Sequence, residues 1–296
     1  MTCRSLHTLL HTLIDYAGLF PPAQLSMEAA LALYAKYHET THAWMLGRFV
    51  VPVARLDELL RSMQLVGSPY DRAWHLSALV GEDAAGDVAA VLAFNQAKHQ
   101  ASVDALEVKA VSVDQIRDLA RVVPSGMKTY VEIPIDGDPR PLIEALAAAR
   151  LRAKMRTGGV VPEAIPPADQ VARFLRACYT ASVPFKATAG LHHPVRAEYA
   201  LTYDPDSPRA IMHGFLNVFL ASVFHYNGIT HRDTMDILAA QSLDDIVMDD
   251  EKIAWREYVV TVAEVSTIRR RQAVAFGSCS FTDPVDDLVK LGLLEK

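Results

Sequence analysis

The sequence predicts an α/β protein in which eight parallel strands and their helices form a TIM-type (β/α)8 barrel. Strand-like and helix-like segments alternate from residue 45 onward, in repeats of about 30 residues that indicate βα units. The strand-like segments are short apolar runs between turn residues, as in parallel strands buried on both faces. The 296 residues suit a single barrel domain spanning residues 1–296.

Seven of the eight strands can be placed from the alternation. The predicted strands cover residues 46–52, 74–80, 103–111, 128–135, 152–157, 185–190 and 273–279. The predicted helices cover residues 54–63, 84–98, 113–121, 139–150, 167–181 and 284–291. The leading residues 6–37 look helical on both sides of Pro21-Pro22, so we expect this segment to plug or cap the barrel.

A helical insertion is predicted before the last strand, at about residues 197–272. Its helical pieces cover residues 210–226, 231–240 and 251–271. One apolar stripe, at helical spacing, is formed by Met212, Phe215, Phe219 and Val223. Such a stripe packs on the barrel or on a sister subunit, so a homo-oligomer is one open expectation.

Charge and composition exclude several classes of function. A net charge of −6 offers no basic footprint for nucleic acid. The longest apolar stretch, residues 216–224, is too short for a membrane span, and the first residues lack the pattern of a signal peptide. Cys3, Cys178 and Cys279 have neither zinc nor disulfide spacing, and we expect a cytoplasmic protein. Cys178 lies on an apolar helix face, which indicates core packing.

Two lysines, each followed by a glycine, are the strongest signal of chemistry. Lys154 and Lys186 each follow a short apolar, strand-like segment, and each lies four residues before a glycine, Gly158 and Gly190 respectively. Lysines on neighbouring strands would crowd two ammonium groups in a desolvated site. Crowding and desolvation favour a neutral amine, which can attack a carbonyl carbon.

The order of several short motifs resembles deoxyribose-phosphate aldolase, a class I aldolase on a (β/α)8 barrel. The matching segments are residues 14–21 (IDYAGLFP), 104–108 (DALEV), Lys128 with Glu132, 154–158 (KMRTG), 186–191 (KATAGL) and 277–280 (GSCS). The resemblance covers about residues 13–191 and 273–291.

The resemblance implies roles for the matching residues. Lys154 would form the Schiff base, with Lys186 beside it. Glu107 stands near the catalytic aspartate of the family and, with Asp15, would move protons. Gly277, Ser278 and Ser280 lie in the segment that would hold an anion.

Several residues depart from the family pattern and indicate another substrate. Arg156 replaces a small polar residue, and His192 and His193 have no counterpart in the family. Either histidine would bind the substrate or give a proton, or lie in a solvated loop. Arg196 would clamp an anionic group, and Glu132 would contact the substrate or neutralise a lysine.

The sequence therefore predicts an aldolase-like carbon–carbon lyase that acts through a lysine Schiff base on a small anionic carbonyl compound. This chemistry requires no metal or cofactor, because the iminium takes up the electron pair. Two alternatives stay open. One is a metal-assisted lyase or isomerase with Glu107, Glu132 and a histidine from 192–193 as ligands. The other is a non-catalytic barrel that binds a small anionic metabolite.

Overall fold

Eight parallel strands close into a barrel in a computed structural model of the chain, which describes residues 2–66, 73–97 and 100–295. The α/β barrel predicted from the alternation is thereby confirmed. The first seven strands are β1 Ile14–Tyr16, β2 Leu46–Pro52, β3 Trp74–Leu79, β4 Ala101–Lys109, β5 Lys128–Glu132, β6 Arg152–Arg156 and β7 Phe185–Thr188. The eighth barrel strand is Ala273–Ser278, which pairs with both β7 and β1.

Helices follow the barrel strands, as expected for βα units. The helices up to β7 are α1 Arg4–Leu10, α2 Met27–Tyr37, α3 Leu56–Val66, α4 Ala84–Gln96, α5 Val113–Val122, α6 Arg140–Ala149 and α7 Ala168–Thr180. Lys98, the last residue of one predicted helix, lies outside the described residues. Cys178 is buried in α7, which confirms that it packs in the core.

The strand that the sequence left unplaced is β1. It lies inside the segment 6–37 that was expected to be helical and to plug or cap the barrel. The helices α1 and α2 flank it, but Ile14–Tyr16 itself pairs with β2 and with the last strand and so completes the wall. The expectation of helix on both sides of Pro21-Pro22 is confirmed by α1 and α2, and it was wrong for residues 14–16, which belong to the barrel wall. Three residues are too few to display a period of two, which explains the miss.

The insertion before the last strand is only partly helical. Its strands are β8 Ala197–Ala200, β9 Arg209–Met212, β10 Val247–Met248, β11 Lys252–Trp255 and β12 Tyr258–Thr261. Its helices are α8 Phe215–Phe224, α9 His231–Ala239 and α10 Val262–Arg271, and the chain then forms β13 Ala273–Ser278 and α11 Thr282–Lys290. The prediction of helix throughout 210–226 and 251–271 was wrong where β9, β11 and β12 form antiparallel pairs.

The apolar stripe of the insertion packs on the barrel. Phe215 stacks on Phe276 of β13 with ring centroids 5.1 Å apart, and Phe219 stacks on Phe185 of β7 at 6.0 Å. Every residue of α8 is buried. Within the described residues, no helix combines the length and apolar character needed to cross a membrane.

Candidate active site

The barrel strands place two lysines and three carboxylates at one level of the interior. Lys154 of β6 is the register partner of Lys186 on β7 and also of Glu132 on β5. Asp15 of β1 and Glu107 of β4 point into the same space, because both contact Lys186. We call Asp15, Glu107, Glu132, Lys154 and Lys186 the lysine cluster.

Glu107 joins the two lysines. Its Oε2 lies 2.8 Å from Lys154 Nζ, and its Oε1 lies 2.5 Å from Lys186 Nζ. Lys154 Nζ also lies 2.9 Å from Oε2 of Glu132. Both amines therefore share one carboxylate, on the same side of the barrel wall.

Two further groups, Asp15 and Ser77, hold Lys186 and Glu107 in place by hydrogen bonds. Its Nζ donates to Oδ2 of Asp15 at 2.6 Å, and Oδ1 of Asp15 accepts the backbone N–H of Arg48 at 2.7 Å. Ser77 Oγ donates to Oε1 of Glu107 at 2.7 Å. The sequence analysis missed Ser77, whose only signal is a lone hydroxyl within the apolar run of β3.

These contacts fix the charges of the central pair. Burial alone would lower the pKa of Lys186, but Asp15 and Glu107 outweigh burial and raise this pKa above the ordinary lysine value. Burial alone would raise the pKa of Glu107, but Lys154 and Lys186 hold it well below the ordinary value. The lysine cluster contains three carboxylates and two amines, so the negative charges offset the repulsion between the two ammonium groups. Lys186 therefore stays protonated at neutral pH.

The glycines after the two lysines contact each other. A Cβ on Gly158 would come within 2.9 Å of Gly190 Cα, and Gly190 has a φ of +77°. Thr157 Oγ1 donates to the carbonyl of Ala189 at 2.5 Å and so ties the two strand ends together. Only glycine at both positions lets the chain leave β6 and β7 in this way.

A cavity of about 970 Å³ lies at the carboxyl ends of the strands, where barrel enzymes have their active sites. Seven of the twelve predicted site residues line it, namely Glu107, Glu132, Lys154, Arg156, Lys186, His192 and Gly277. Lys154 has 7% of its side chain exposed and Lys186 only 1%, so Lys154 is the more accessible amine. Arg156 is exposed at the mouth, where its Nε donates to the carbonyl of Gly158.

His192 stands on the cavity wall after β7. Its Nδ1 lies 3.2 Å from Ser278 Oγ and 3.9 Å from Cys279 Sγ. Burial lowers the pKa of His192 to about 4, so the ring is neutral at pH 7. Burial also raises the pKa of the Cys279 thiol, which disfavours the reactive thiolate.

Five predicted site residues do not line this cavity, namely Asp15 of the lysine cluster and His193, Arg196, Ser278 and Ser280. His193 Nδ1 pairs with Oδ2 of Asp287 at 2.5 Å, and its ring stacks on Tyr199 with centroids 3.5 Å apart. The backbone N–H of Arg196 donates to Asn217 Oδ1. His193 and Arg196 thus lie at the junction with the insertion.

Ser278 and Ser280 organise the start of α11. The backbone N–H of Ser280 donates to Ser278 Oγ at 3.3 Å, and that of Asp283 donates to Ser280 Oγ at 3.1 Å. The backbone N–H of Ser280, which lies in the segment expected from the sequence to hold an anion, is therefore engaged within the turn.

The ligands proposed for the metal-assisted alternative are not assembled. In residues 2–66, 73–97 and 100–295, no three His, Cys, Asp or Glu side chains form a group that could hold a metal ion. Glu107 and Glu132 are instead paired with Lys154. No family model, no curated protein and no solved structure matches this chain.

Proposed function

We propose that this protein is a carbon–carbon lyase of the class I aldolase type, in which Lys154 forms a Schiff base with a small carbonyl compound. The observation that carries the proposal is the position of Lys154. Its amine lies at the floor of a large cavity, in contact with Glu107 and Glu132, and Glu107 joins it to the fully buried Lys186. An amine with adjacent proton acceptors in a desolvated site is the arrangement that carbonyl attack requires.

Lys154 rather than Lys186 is the nucleophile in this proposal. Lys186 is clamped between Asp15 and Glu107, and its raised pKa keeps it cationic. Lys154 passes a proton to Glu132, whose Oε2 lies 2.9 Å from its Nζ.

The chemistry proceeds in balanced steps. The neutral amine of Lys154 bonds to the carbonyl carbon, and the carbonyl oxygen leaves as water after gaining two protons, which gives the iminium. The bond between the α and β carbons then breaks, and its electron pair moves toward the iminium to form an enamine. The proton of the β-hydroxyl group passes to Glu107, and the β carbon leaves as an aldehyde or ketone. A proton returns from Glu107 to the α carbon of the enamine, and water hydrolyses the resulting iminium, which releases the second carbonyl product and the amine of Lys154.

Arg156 supports an anionic substrate. It lines the cavity as a cation at the mouth, and its guanidinium can donate two parallel hydrogen bonds to a carboxylate or phosphate. Lys109, which also lines the cavity, has 78% of its side chain exposed and lies 3.9 Å from Glu132. Both cations are placed for an anionic end that points outward while the carbonyl group reaches Lys154.

Reductive trapping tests the proposal. The full chain is incubated with a panel of small aldehydes, ketones and 2-oxo acids in the presence of borohydride, and peptides are mapped by mass spectrometry. We expect one adduct, on Lys154, and none in Lys154→Met.

Lys128→Met is the matched control, because Lys128 begins β5 near the opposite end of the barrel and does not line the cavity. This variant should trap as the wild type does. Turnover of a carbonyl substrate without any Lys154 adduct overturns the proposal, as does saturable binding of the whole panel with neither adduct nor turnover.

A further inference from the structure

His192 belongs to a hydrogen-bonded chain that fixes which ring nitrogen carries its proton. The Oγ of Ser278 accepts the backbone N–H of Ser280 at 3.3 Å and lies 3.2 Å from His192 Nδ1. Ser278 is 1% exposed, so water does not reach its hydroxyl group freely. A buried hydroxyl proton without an acceptor is costly, and such protons are almost always donated.

Among the described residues, His192 Nδ1 lies within hydrogen-bond distance of Ser278 Oγ and can accept that hydroxyl proton. Ser278 therefore donates to Nδ1, and a neutral imidazole that accepts at Nδ1 carries its hydrogen at Nε2. The sulfur of Cys279 lies 3.9 Å from the same nitrogen. Within the described part of the chain, the hydrogen-bond contacts of His192 are at Nδ1, and Nε2 on the other side of the ring contacts no other polar side chain.

We propose that His192 donates its Nε2–H to the substrate oxygen on the carbon atom that leaves, and that Ser278 is the positioning residue that holds His192 in this tautomer. The inference rests on the proposed function, because it assigns the recognition of the β-hydroxyl group in the same cavity.

The donor acts without giving up its proton. During cleavage the hydroxyl proton passes to Glu107, and the oxygen becomes a carbonyl oxygen. In the reverse addition, the aldehyde oxygen gains negative charge as the new carbon–carbon bond forms. A fixed N–H donor stabilises that charge in both directions. A neutral imidazole suits this role because its Nε2–H is a hydrogen-bond donor that carries no net charge.

The groups around the ring are consistent with a neutral donor. His193 is the next residue in the chain, Cys279 belongs to the segment after β13, and Asp283 lies in α11. Asp283 favours a charged ring, but burial and His193 outweigh it. The hydroxyl of Tyr203 donates to Asp283 at 2.8 Å and so partly satisfies that carboxylate.

Nitrogen NMR tests the tautomer without any substrate. The full chain labelled with ¹⁵N-histidine carries 11 imidazoles, and His192→Gln assigns the signals by their loss. At pH 7 we expect a protonated Nε2 and an unprotonated Nδ1 for His192, and a mixed tautomer in Ser278→Ala. A protonated Nδ1, or a doubly protonated ring, overturns the inference.

Kinetics tests the catalytic part. In His192→Leu, adduct formation at Lys154 should persist while cleavage of a β-hydroxy carbonyl substrate slows about 10²–10³-fold, as for loss of an oxyanion-hole donor. His192→Gln, whose amide N–H can replace Nε2–H, should recover a large part of the rate.

The two proposals fail in different ways. Absence of any Lys154 adduct in the wild type contradicts the proposed function. The NMR experiment needs no substrate, so it still determines the tautomer of His192 in that case. Normal cleavage by His192→Leu, with normal trapping, defeats the inference alone. A rate in His192→Gln no better than in His192→Leu also contradicts it, because the shape of the side chain would then matter and the N–H would not.

Discussion

The barrel interior holds two groups of charges at different heights. The lysine cluster lies beneath the cavity, and a second group lies nearer the amino-terminal ends of the strands. We call this second group, Arg48, Asp104 and Lys128, the arginine cluster. Arg48 Nε lies 2.6 Å from Oδ1 of Asp104, and Lys128 Nζ lies 3.0 Å from Oδ2. Asp104 precedes Glu107 by three residues on the same strand, so one strand supplies the central carboxylate of both clusters.

The clusters differ in the kind of cation and in what lies beside it. Arg48 holds Asp104 with two parallel hydrogen bonds, and a guanidinium does not lose its proton in proteins. None of the three residues of the arginine cluster lines the 970 Å³ cavity. The lysine cluster lies next to that cavity, and in the proposed function Lys154 is the amine of this cluster that gives up a proton. Similar charges therefore hold the strands together at one level and, in the proposed function, supply a transferable proton at the other.

The largest expected effect comes from the two central carboxylates. Glu107→Gln leaves two buried amines without their shared partner, and breaking such a pair should lower the free energy of unfolding by about 3–5 kcal/mol. Turnover should fall about 10²–10⁴-fold, as for loss of a general acid or base. Urea unfolding and steady-state kinetics measure the two effects.

Asp104→Asn is the matched control in the arginine cluster. Because Asp104 is 29% exposed, water can solvate Arg48 and Lys128, so the loss of stability should be about 1–2 kcal/mol. Turnover should stay at the wild-type level. If Asp104→Asn abolished turnover and Glu107→Gln did not, the roles of the clusters would be reversed.

A second comparison separates the two lysines. Lys186→Met leaves the buried carboxylates of Asp15 and Glu107 without their shared cation. This change should lower the free energy of unfolding by about 3–5 kcal/mol. Lys154→Met should cost less, because the cavity lets water reach Glu132. Urea unfolding of both variants measures the difference. An equal or greater loss in Lys154→Met would mean that Lys154 is a structural partner.

Much of the barrel could be predicted because its strands are apolar runs buried on both faces. Strand β2 was predicted with its observed bounds, and most differences lie at strand ends. The hairpin of β11 and β12 was missed because no glycine or proline separates its short strands from each other or from α10. One start signal was present, since Thr261 and Glu264 form the capping box of α10.

The lysine cluster could be assembled from short motifs, but the arginine cluster could not. Along a regular strand, Asp104 and Glu107 would point to opposite faces. Pairing of β3 and β4 shifts between Leu76 and Ser77, so Val103 and Ala105 oppose consecutive residues and Asp104 is the extra one. This bulge turns Asp104 toward Arg48 and Lys128. A bulge depends on how two distant strands pair, and the period along one strand does not reveal it.

The smallest expected effect is the acid titration of Asp104. Burial alone would raise the pKa of Asp104, but Arg48 and Lys128 outweigh burial and hold this pKa at about 2. A carboxylate with a lowered pKa adds stability that is fully present above its unfolded value of about 3.9 and is lost as the pH falls through the folded value. Carbon NMR of the Asp104 carboxyl group should therefore give a midpoint near 2.

Arg48→Gln should sharpen this result, because it removes the bidentate partner of Asp104. The midpoint of Asp104 should then rise toward or above about 3.9, and the stability lost in acid should be lost at higher pH. Arg209→Gln is the control, since Arg209 contacts Glu198 in the exposed β8–β9 hairpin. A wild-type midpoint near the unfolded value would mean that the arginine cluster does not bind its carboxylate in solution. The contrast between a fixed and a transferable proton would then rest on the lysine cluster alone.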